Sequence, residues 1–339
     1  MKMTTNIAIN GFGRIGRITF RTISQYHSDS LAVVAANGSS DAKTNAHLLK
    51  WDTAYGKYPG NVEADGEYIV VDGNRVRFFS ERDPAKIPWR ECGVDIVIDS
   101  TGTLTNAHQL TGHIKNGAKK VIISAPATNE DITIVLGVNE ELYDPERHHI
   151  VSCASCTTNC VAPVVKVLHE NFTVNHGLMT TVHSYTRDQR LIDRHHPSLR
   201  RARSAPANII PTTTGAAKLV GRLIPELEGK IDGLALRVPV PSCSVVDFVA
   251  ELERKVTVKQ VNSALREAAE GQLKGILGYT EEELVSSDFL GTTESAILDA
   301  PGTMTINDNM VKVLVWYDNE WAFCCRLAEM AKLFAEKGL

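Results

Sequence analysis

Residues 10–17 read N-G-F-G-R-I-G-R, which places Gly11, Gly13 and Gly16 in a G-x-G-x-x-G spacing. The residues on either side decide what that spacing means. Residues 6–10 form a short β-branched run that reads as a strand, and residues 14–26 carry helical periodicity. A second strand-like run follows at 32–36. A glycine turn between a strand and a helix, inside a βαβ unit, is the fingerprint of a dinucleotide site. The glycines allow a tight turn, close approach of the backbone to a pyrophosphate, and tight helix–strand packing. The helix N-terminus then points its open amides at the phosphates. Further outward, runs at 68–71, 94–99, 119–123 and 132–135 read as buried strands, with a helical stretch at 106–116. This alternation predicts a parallel, doubly wound sheet. Beyond residue 150 the segments 177–186, 234–240 and 244–253 alternate as antiparallel strands do. Thr257 and Gln260 are spaced as a capping box for a helix over 257–270, and 320–336 reads as a last amphipathic helix.

Composition sets the frame for these elements. The 339 residues suggest about two domains, and 43% hydrophobic with 22% charged residues describes an ordered globular chain. No apolar run approaches the roughly 18 residues of a membrane span. No secretory signal is expected before the first strand. Thirty-six basic residues against 40 acidic ones give a net charge of −4, with no general basic field for nucleic acid. Seven cysteines, an odd number, argue for a reduced cytoplasmic enzyme rather than a disulfide framework.

The second strand ends A-A-N-G-S-S, with Gly38, Ser39 and Ser40 where an NAD site usually carries a carboxylate for the ribose hydroxyls. Without that charge a 2′-phosphate is not repelled, which favours NADP or dual use. In the alternative, Asn37 and Asp41 shape a turn and NAD is held by other groups. Residues 152–160 read S-C-A-S-C-T-T-N-C before an apolar helical run, so Cys156 falls at a helix N-terminus. There the dipole and free amides are expected to lower a thiol pKa and favour a thiolate nucleophile. A metal site is not expected, because C-x-x-C-x-x-x-C lacks a second paired cluster. A nucleophilic cysteine needs a base, and His183 at the end of a strand-like run is a candidate.

N-G-F-G-R-I-G-R, S-C-T-T-N-C, H-S-Y-T-R-D-Q at 183–189, L-R-R-A-R at 199–203, I-P-T-T-T-G-A-A-K at 210–218, L-R-V-P at 236–239 and W-Y-D-N-E-W at 316–321 occur in that order. Together they resemble the phosphorylating glyceraldehyde-3-phosphate dehydrogenases along essentially the whole chain. The resemblance implies an α/β fold: a doubly wound parallel Rossmann sheet over 1–155, completed by a C-terminal helix at 320–339. It also implies an α+β catalytic domain over 156–319 with a mixed, largely antiparallel sheet. Cys156 would be the nucleophile and His183 its base and oxyanion partner. Asn10, Gly11, Phe12, Gly13, Arg14, Ile15, Gly16, Gly38, Ser39, Arg82, Ser124 and Asn319 would bind NADP or NAD, with Asn319 on the nicotinamide carboxamide. Thr186, Asp188 and Arg237 match a site for the triose phosphate. Ser155, Thr157, Arg201, Thr214 and Gly215 match one for inorganic phosphate. Arg203 could replace Arg201, and Thr212 or Thr213 could simply shape the loop.

Six arginines lie within 187–203, a loop that the resemblance sends to a neighbouring subunit's cofactor pocket in a homotetramer. Arg194-His195 stand where NAD-preferring relatives tend to have Leu-Pro, a second departure in the direction of NADP. Cys153, Ala322 and Phe323 also leave the family pattern, and Cys153 or Cys160 could resolve an oxidised Cys156. The reaction implied is reversible conversion of glyceraldehyde 3-phosphate and phosphate to 1,3-bisphosphoglycerate, in glycolysis, gluconeogenesis or carbon fixation. Erythrose-4-phosphate dehydrogenase is the alternative enzyme, and an RNA-binding or adhesin role the alternative of another class. No membrane or primary nucleic-acid partner is expected.

Overall fold

The computed structural model describes residues 4–339 and divides into two compact units. One holds the chain up to Ile134 with Glu140–Ala154 and Cys324–Leu339; the other holds Val135–Asn139 and Ser155–Phe323. Among the described residues no helix is long and apolar enough to cross a membrane.

The first unit opens with strand β1 (Thr5–Asn10), helix α1 (Arg14–Tyr26), β2 (Leu31–Asn37) and α2 (Ala42–Lys50). A two-residue pair, β3 (Trp51–Asp52) and β4 (Gly56–Lys57), precedes β5 (Val62–Asp65), β6 (Tyr68–Val71) and β7 (Asn74–Phe79). Then come β8 (Ile96–Asp99), α3 (Thr111–Lys115), β9 (Lys120–Ile123), β10 (Ile132–Thr133) and β11 (Ile150–Ser152). Nine of these strands form one sheet in the order β10-β11-β9-β8-β1-β2-β7-β6-β5. From β10 to β7 every pairing is parallel, as the βαβ pattern predicts.

The run at 68–71 is the exception: β5, β6 and β7 form an antiparallel meander. Its cause is local. Asp72 and Gly73 have φ of 49° and 82°, the left-handed pair of a two-residue hairpin turn, and so short a loop can only reverse the chain. The helix expected over 106–116 is also divided, into a 3₁₀ turn at Ala107–Leu110 followed by α3.

The glycine turn is fixed by contact. Gly11 has φ +92°, and a Cβ there would meet the Thr101 nitrogen at 2.5 Å. A Cβ on Gly16 would lie 2.3 Å from the Gly11 oxygen, so α1 crosses β1 with no room for a side chain. Below the turn, Asn10 Nδ2 donates to Asp99 Oδ2 at 2.7 Å and Asn37 Nδ2 donates to Asn10 Oδ1 at 2.7 Å. Three parallel strands are thereby tied at their C-terminal ends, where open α/β sheets bind ligands.

The second unit starts with α4 (Cys156–Phe172) and β12 (Val174–Ser184), followed by β13 (Ile210–Thr213), α5 (Ala216–Leu223), β14 (Ile231–Val238) and β15 (Ser244–Leu252). It continues with α6 (Val258–Glu270), β16 (Leu277–Thr280), β17 (Ala296–Ile306) and β18 (Met310–Tyr317). The seven-stranded order is β13-β14-β12-β15-β18-β17-β16. Four pairings are antiparallel, while β12–β14 and β16–β17 are parallel, so the sheet is mixed as expected. Thr257 caps α6 in a capping box with Gln260. The last helix, α7 (Trp321–Lys337), belongs from Cys324 onward to the first unit and buries Leu327, Ala328, Met330, Ala331 and Phe334. Phe334 stacks on Tyr143 at 4.2 Å.

Gly16→Ala should destabilise the protein by about 2 kcal/mol or more, because the clash is with backbone that cannot rotate away. Denaturant titration checks this; a stability equal to wild type would contradict the tight-crossing account.

Candidate active site

Most of the residues matched to a dinucleotide lie in the first unit. Gly13 is the N-cap of α1, with no side-chain cap and no acid in the first turn. A Cβ on Gly13 would have nothing within 4 Å, so this glycine, unlike Gly11 and Gly16, borders open space over the helix N-terminus. An open cradle above uncapped amides fits a pyrophosphate. Not every matched residue presents a side chain here. Asn10 is turned into the strand-end network, and Phe12 is buried edge-on against Phe78 at 5.8 Å. Arg14 pairs with Asp52 at 2.6 Å, and Ile15 is partly buried. Ser124 is held by its N–H on the Asp99 carbonyl at 2.9 Å.

At the end of β2 a Cβ on Gly38 would touch Phe78 at 3.0 Å and Phe12 at 3.4 Å. The aromatic pair thus leaves Gly38 tightly packed, and a side chain there would have to displace it by a few tenths of an ångström. Asn37 and Asp41 are structural: Asn37 holds the Glu81 backbone through its amide, and Asp41 caps α2 by accepting from Thr44 N–H at 2.8 Å. Ser39 and Arg82 are exposed.

The matched cysteine and histidine lie in the second unit. Ser155 is the N-cap of α4, accepting from the Thr158 N–H at 3.1 Å, so Cys156 is the first helical residue. Its Sγ lies 3.6 Å from His183 Nε2. The register of β12 against β14 pairs His183 with Arg237, which a slip of one residue would undo. The Ser184 carbonyl accepts from His183 Nδ1 at 2.7 Å and from Arg237 Nη1 at 2.9 Å. The tautomer with its hydrogen on Nδ1, which the Ser184 carbonyl favours and the close Arg237 Nη1 donor disfavours, turns the Nε2 lone pair to the thiol.

Charge in this cluster differs from the helix-terminus expectation. Burial is the largest influence on Cys156 and raises its pKa; Arg237, the Thr157 hydroxyl and the helix's own first amides pull the other way but do not reverse it. Sequence position gave the amides but not the desolvation. His183 is lowered to about 3, first by burial and then by the Arg237 cation, whose Nη1 lies 2.6 Å from Nδ1. The resting pair is thus a neutral thiol facing a neutral imidazole.

Arginines mark where anions can dock. Arg201 donates to Thr212 Oγ1 at 2.8 Å and forms an ion pair with Asp188. Burial works upward on Asp188, but His196 and Arg201 hold its carboxyl below the usual range. Asp188 and Arg201 were matched to different phosphates, yet they are joined directly. Gly215 is the N-cap of α5, with open space at its Cβ position, and Thr214 Oγ1 accepts from the Ala216 N–H at 3.2 Å. Thr186 is partly buried in the loop after β12 and its N–H is bonded to Gln189 Oε1 at 3.2 Å. Arg203 pairs with Asp193 at 2.8 Å. Thr157 is buried, and its hydroxyl meets Tyr317 Oη at 2.9 Å rather than an open pocket.

Asn319 follows β18, and its loop is set by Asp318, which accepts from the Glu320 and Trp321 N–H groups at 2.9 and 3.0 Å. Three participants were not singled out from sequence. Tyr317 Oη also reaches Thr181 Oγ1 at 2.8 Å, while Ser184 and Ser244 both bond Asn319 Oδ1 at 2.9 Å. Tyr317 stood inside the W-Y-D-N-E-W motif and Ser184 inside H-S-Y-T-R-D-Q, so their signal was available; Ser244 carries none.

Comparison with known proteins gives a consistent result. The family model for "Glyceraldehyde 3-phosphate dehydrogenase, NAD binding domain" matches residues 5–107, and that for the C-terminal domain matches 155–319. Glyceraldehyde-3-phosphate dehydrogenase of Geobacillus stearothermophilus is 55% identical over 337 residues, covering 99% of this chain and 100% of that protein. The enzyme of the same name from Priestia megaterium is 54% identical with the same coverage. Glyceraldehyde-3-phosphate dehydrogenase 2 of Trichormus variabilis is 51% identical over 332 residues, 98% of each chain.

Arg237→Gln should raise the pKa of His183 toward its ordinary value by removing a neighbouring cation. It should raise that of Cys156 as well, by removing the charge that favours its thiolate. Alkylation of Cys156 as a function of pH measures the second shift, and histidine NMR the first. Movement of either group downward would contradict the assignment.

Proposed function

The chain belongs to the glyceraldehyde 3-phosphate dehydrogenase family, and from that premise we propose that it oxidises glyceraldehyde 3-phosphate with inorganic phosphate to 1,3-bisphosphoglycerate, reversibly. The observation that carries the reading is the Cys156–His183 contact at the N-terminus of α4, with Arg237 beside it. His183 Nε2 takes the thiol proton as Cys156 Sγ bonds to the aldehyde carbon, giving a thiohemiacetal. The backbone N–H of Cys156 and the protonated imidazole then face the developing oxyanion. Arg237 repels that imidazolium, so a substrate phosphate on Arg237 would screen the repulsion and make His183 a stronger base. The imidazolium returns its proton to that oxyanion, leaving a hydroxyl and a neutral ring; in the second stage His183 accepts the hydroxyl proton as the carbon is oxidised to a thioester. A bound nicotinamide dinucleotide supplies the hydride acceptor. Phosphate oxygen next attacks the thioester carbon, the C–S bond breaks, and Cys156 leaves as thiolate with the acyl phosphate released.

The phosphate assignments are part of the same proposal. Thr186, Asp188 and Arg237 would take the substrate phosphate; Ser155, Thr157, Arg201, Thr214 and Gly215 would take the attacking one. The open N-terminus of α5 at Gly215, next to the Arg201 anchor on Thr212, supports the second. The Thr157 hydroxyl would have to leave Tyr317 to contribute. For the dinucleotide, Gly13 and the α1 amides would cradle the pyrophosphate and the Asn319 amide would hold the nicotinamide carboxamide.

We further propose that NADP is used, either in preference to NAD or alongside it. No side chain at Gly38 repels a 2′-phosphate, Ser39 is an exposed hydroxyl beside it, and Arg82 is an exposed cation after β7. The family's homotetramer and a cytoplasmic setting complete the reading. Leu191, Ile192 and Leu199 in the arginine-rich loop are 75%, 72% and 85% exposed, an apolar surface that suits burial against another copy.

Cys156→Ser should lower turnover by ~10³-fold or more while dinucleotide affinity stays near wild type. Loss of binding instead would make the cysteine structural. Initial rates with NAD and NADP, with and without phosphate, test the rest. Full turnover without phosphate would refute the acyl-phosphate product, and exclusive use of NAD would refute the cofactor proposal.

A further inference from the structure

Ser184 is fully buried at the end of β12, and each of its polar groups has a separate task. The carbonyl holds His183 Nδ1 and Arg237. The N–H donates to Ser244 Oγ at 3.1 Å, and the hydroxyl donates to Asn319 Oδ1 at 2.9 Å. Ser244, buried at the start of β15, has its lone pair engaged by that N–H, and its own hydrogen goes to Asn319 Oδ1 at 2.9 Å. Two hydroxyl hydrogens therefore converge on one carboxamide oxygen.

The opposite amide orientation would set an –NH2 against both hydroxyls and strand their hydrogens in a buried place. Asn319 is thus fixed with its oxygen inward and its –NH2 directed away from both serines. An –NH2 can only donate, so it selects a carbonyl oxygen on a ligand.

We infer that Ser184 and Ser244 are positioning residues that lock the Asn319 amide, so that a nicotinamide carboxamide is accepted through its oxygen and the ring presents a single face to the substrate carbon. The inference rests on the reading above that Asn319 binds the carboxamide. With the clamp gone, the amide can rotate by half a turn and offer its oxygen to the carboxamide –NH2, which admits the ring in the flipped orientation. Ser184 is also the residue whose carbonyl orients the base, so one buried serine aligns the proton acceptor and the cofactor clamp together.

The test uses Ser184→Ala, Ser244→Ala, the double variant and Ser184→Thr, each titrated with the reduced dinucleotide by fluorescence. The aldehyde deuterated at C1 is then oxidised, and proton NMR of the reduced dinucleotide reports which C4 face received the label. Each alanine variant should weaken dinucleotide binding by about tenfold, the double variant should label both faces, and Ser184→Thr should restore affinity by restoring a hydroxyl. Affinity within twofold of wild type and one labelled face in the double variant would overturn the inference. So would a folded Ser184→Thr that binds as weakly as Ser184→Ala. Should Ser184→Ala not fold, Ser244→Ala reads the same quantities away from the base. A wild-type protein that binds the dinucleotide but does not oxidise the aldehyde would refute the proposed function, while the titrations would still read the clamp.

Discussion

The 3.6 Å approach of Cys156 Sγ to His183 Nε2 is the contact on which the second unit's arrangement turns. Neither residue could reach it without the elements that end or begin there. The Ser155 cap fixes the first turn of α4 and so the direction of the thiol. The end of β12 brings the imidazole, and the parallel register with β14 sets Arg237 beside it. Both neutral partners are kept so by burial. The site therefore holds a nucleophile and a base that burial keeps neutral, beside a cation that favours the thiolate while disfavouring the imidazolium.

Much of this was legible in the sequence where the determinants are local. The glycine turn, α1 and its two flanking strands follow from spacing within thirty residues, and the structure places them within a residue of expectation. The position of Cys156 at a helix start was readable from the polar S-C-T-T-N-C run before apolar residues. The antiparallel meander was less so, because strands of four residues carry weak periodicity and the deciding element is a two-residue turn. The pairing of His183 with Arg237 was beyond pattern reading altogether, since it depends on register between strands whose contacting residues are 54 positions apart. The upward shift of the Cys156 thiol was missed for the same reason: desolvation is created by distant chain segments.

Gly38 illustrates how one residue can carry two explanations that only structure separates. As sequence, its lack of a carboxylate reads as a statement about the cofactor. In the fold Phe12 and Phe78 crowd the place where a side chain would start, so a larger residue would have to shift them by a few tenths of an ångström. The two explanations are compatible, because tight packing favours glycine and a glycine leaves the ribose edge without that charge. Asp41, the nearest acid in sequence, is committed to capping α2. The serine pair on Asn319 is the converse case: Ser184 stood in the H-S-Y-T-R-D-Q motif with no role read from it and Ser244 in no motif, yet both bond the amide in a buried place.

The central claim is that Cys156 carries the acyl group between oxidation and phosphate attack. Rapid-quench mass spectrometry measures this directly, with enzyme, dinucleotide and glyceraldehyde 3-phosphate mixed in the absence of phosphate. The account predicts an acyl adduct on the peptide bearing Cys156, formed together with reduced dinucleotide and discharged when phosphate is added. Reduced dinucleotide formed with no adduct on Cys156, or an adduct that phosphate does not discharge, would contradict it.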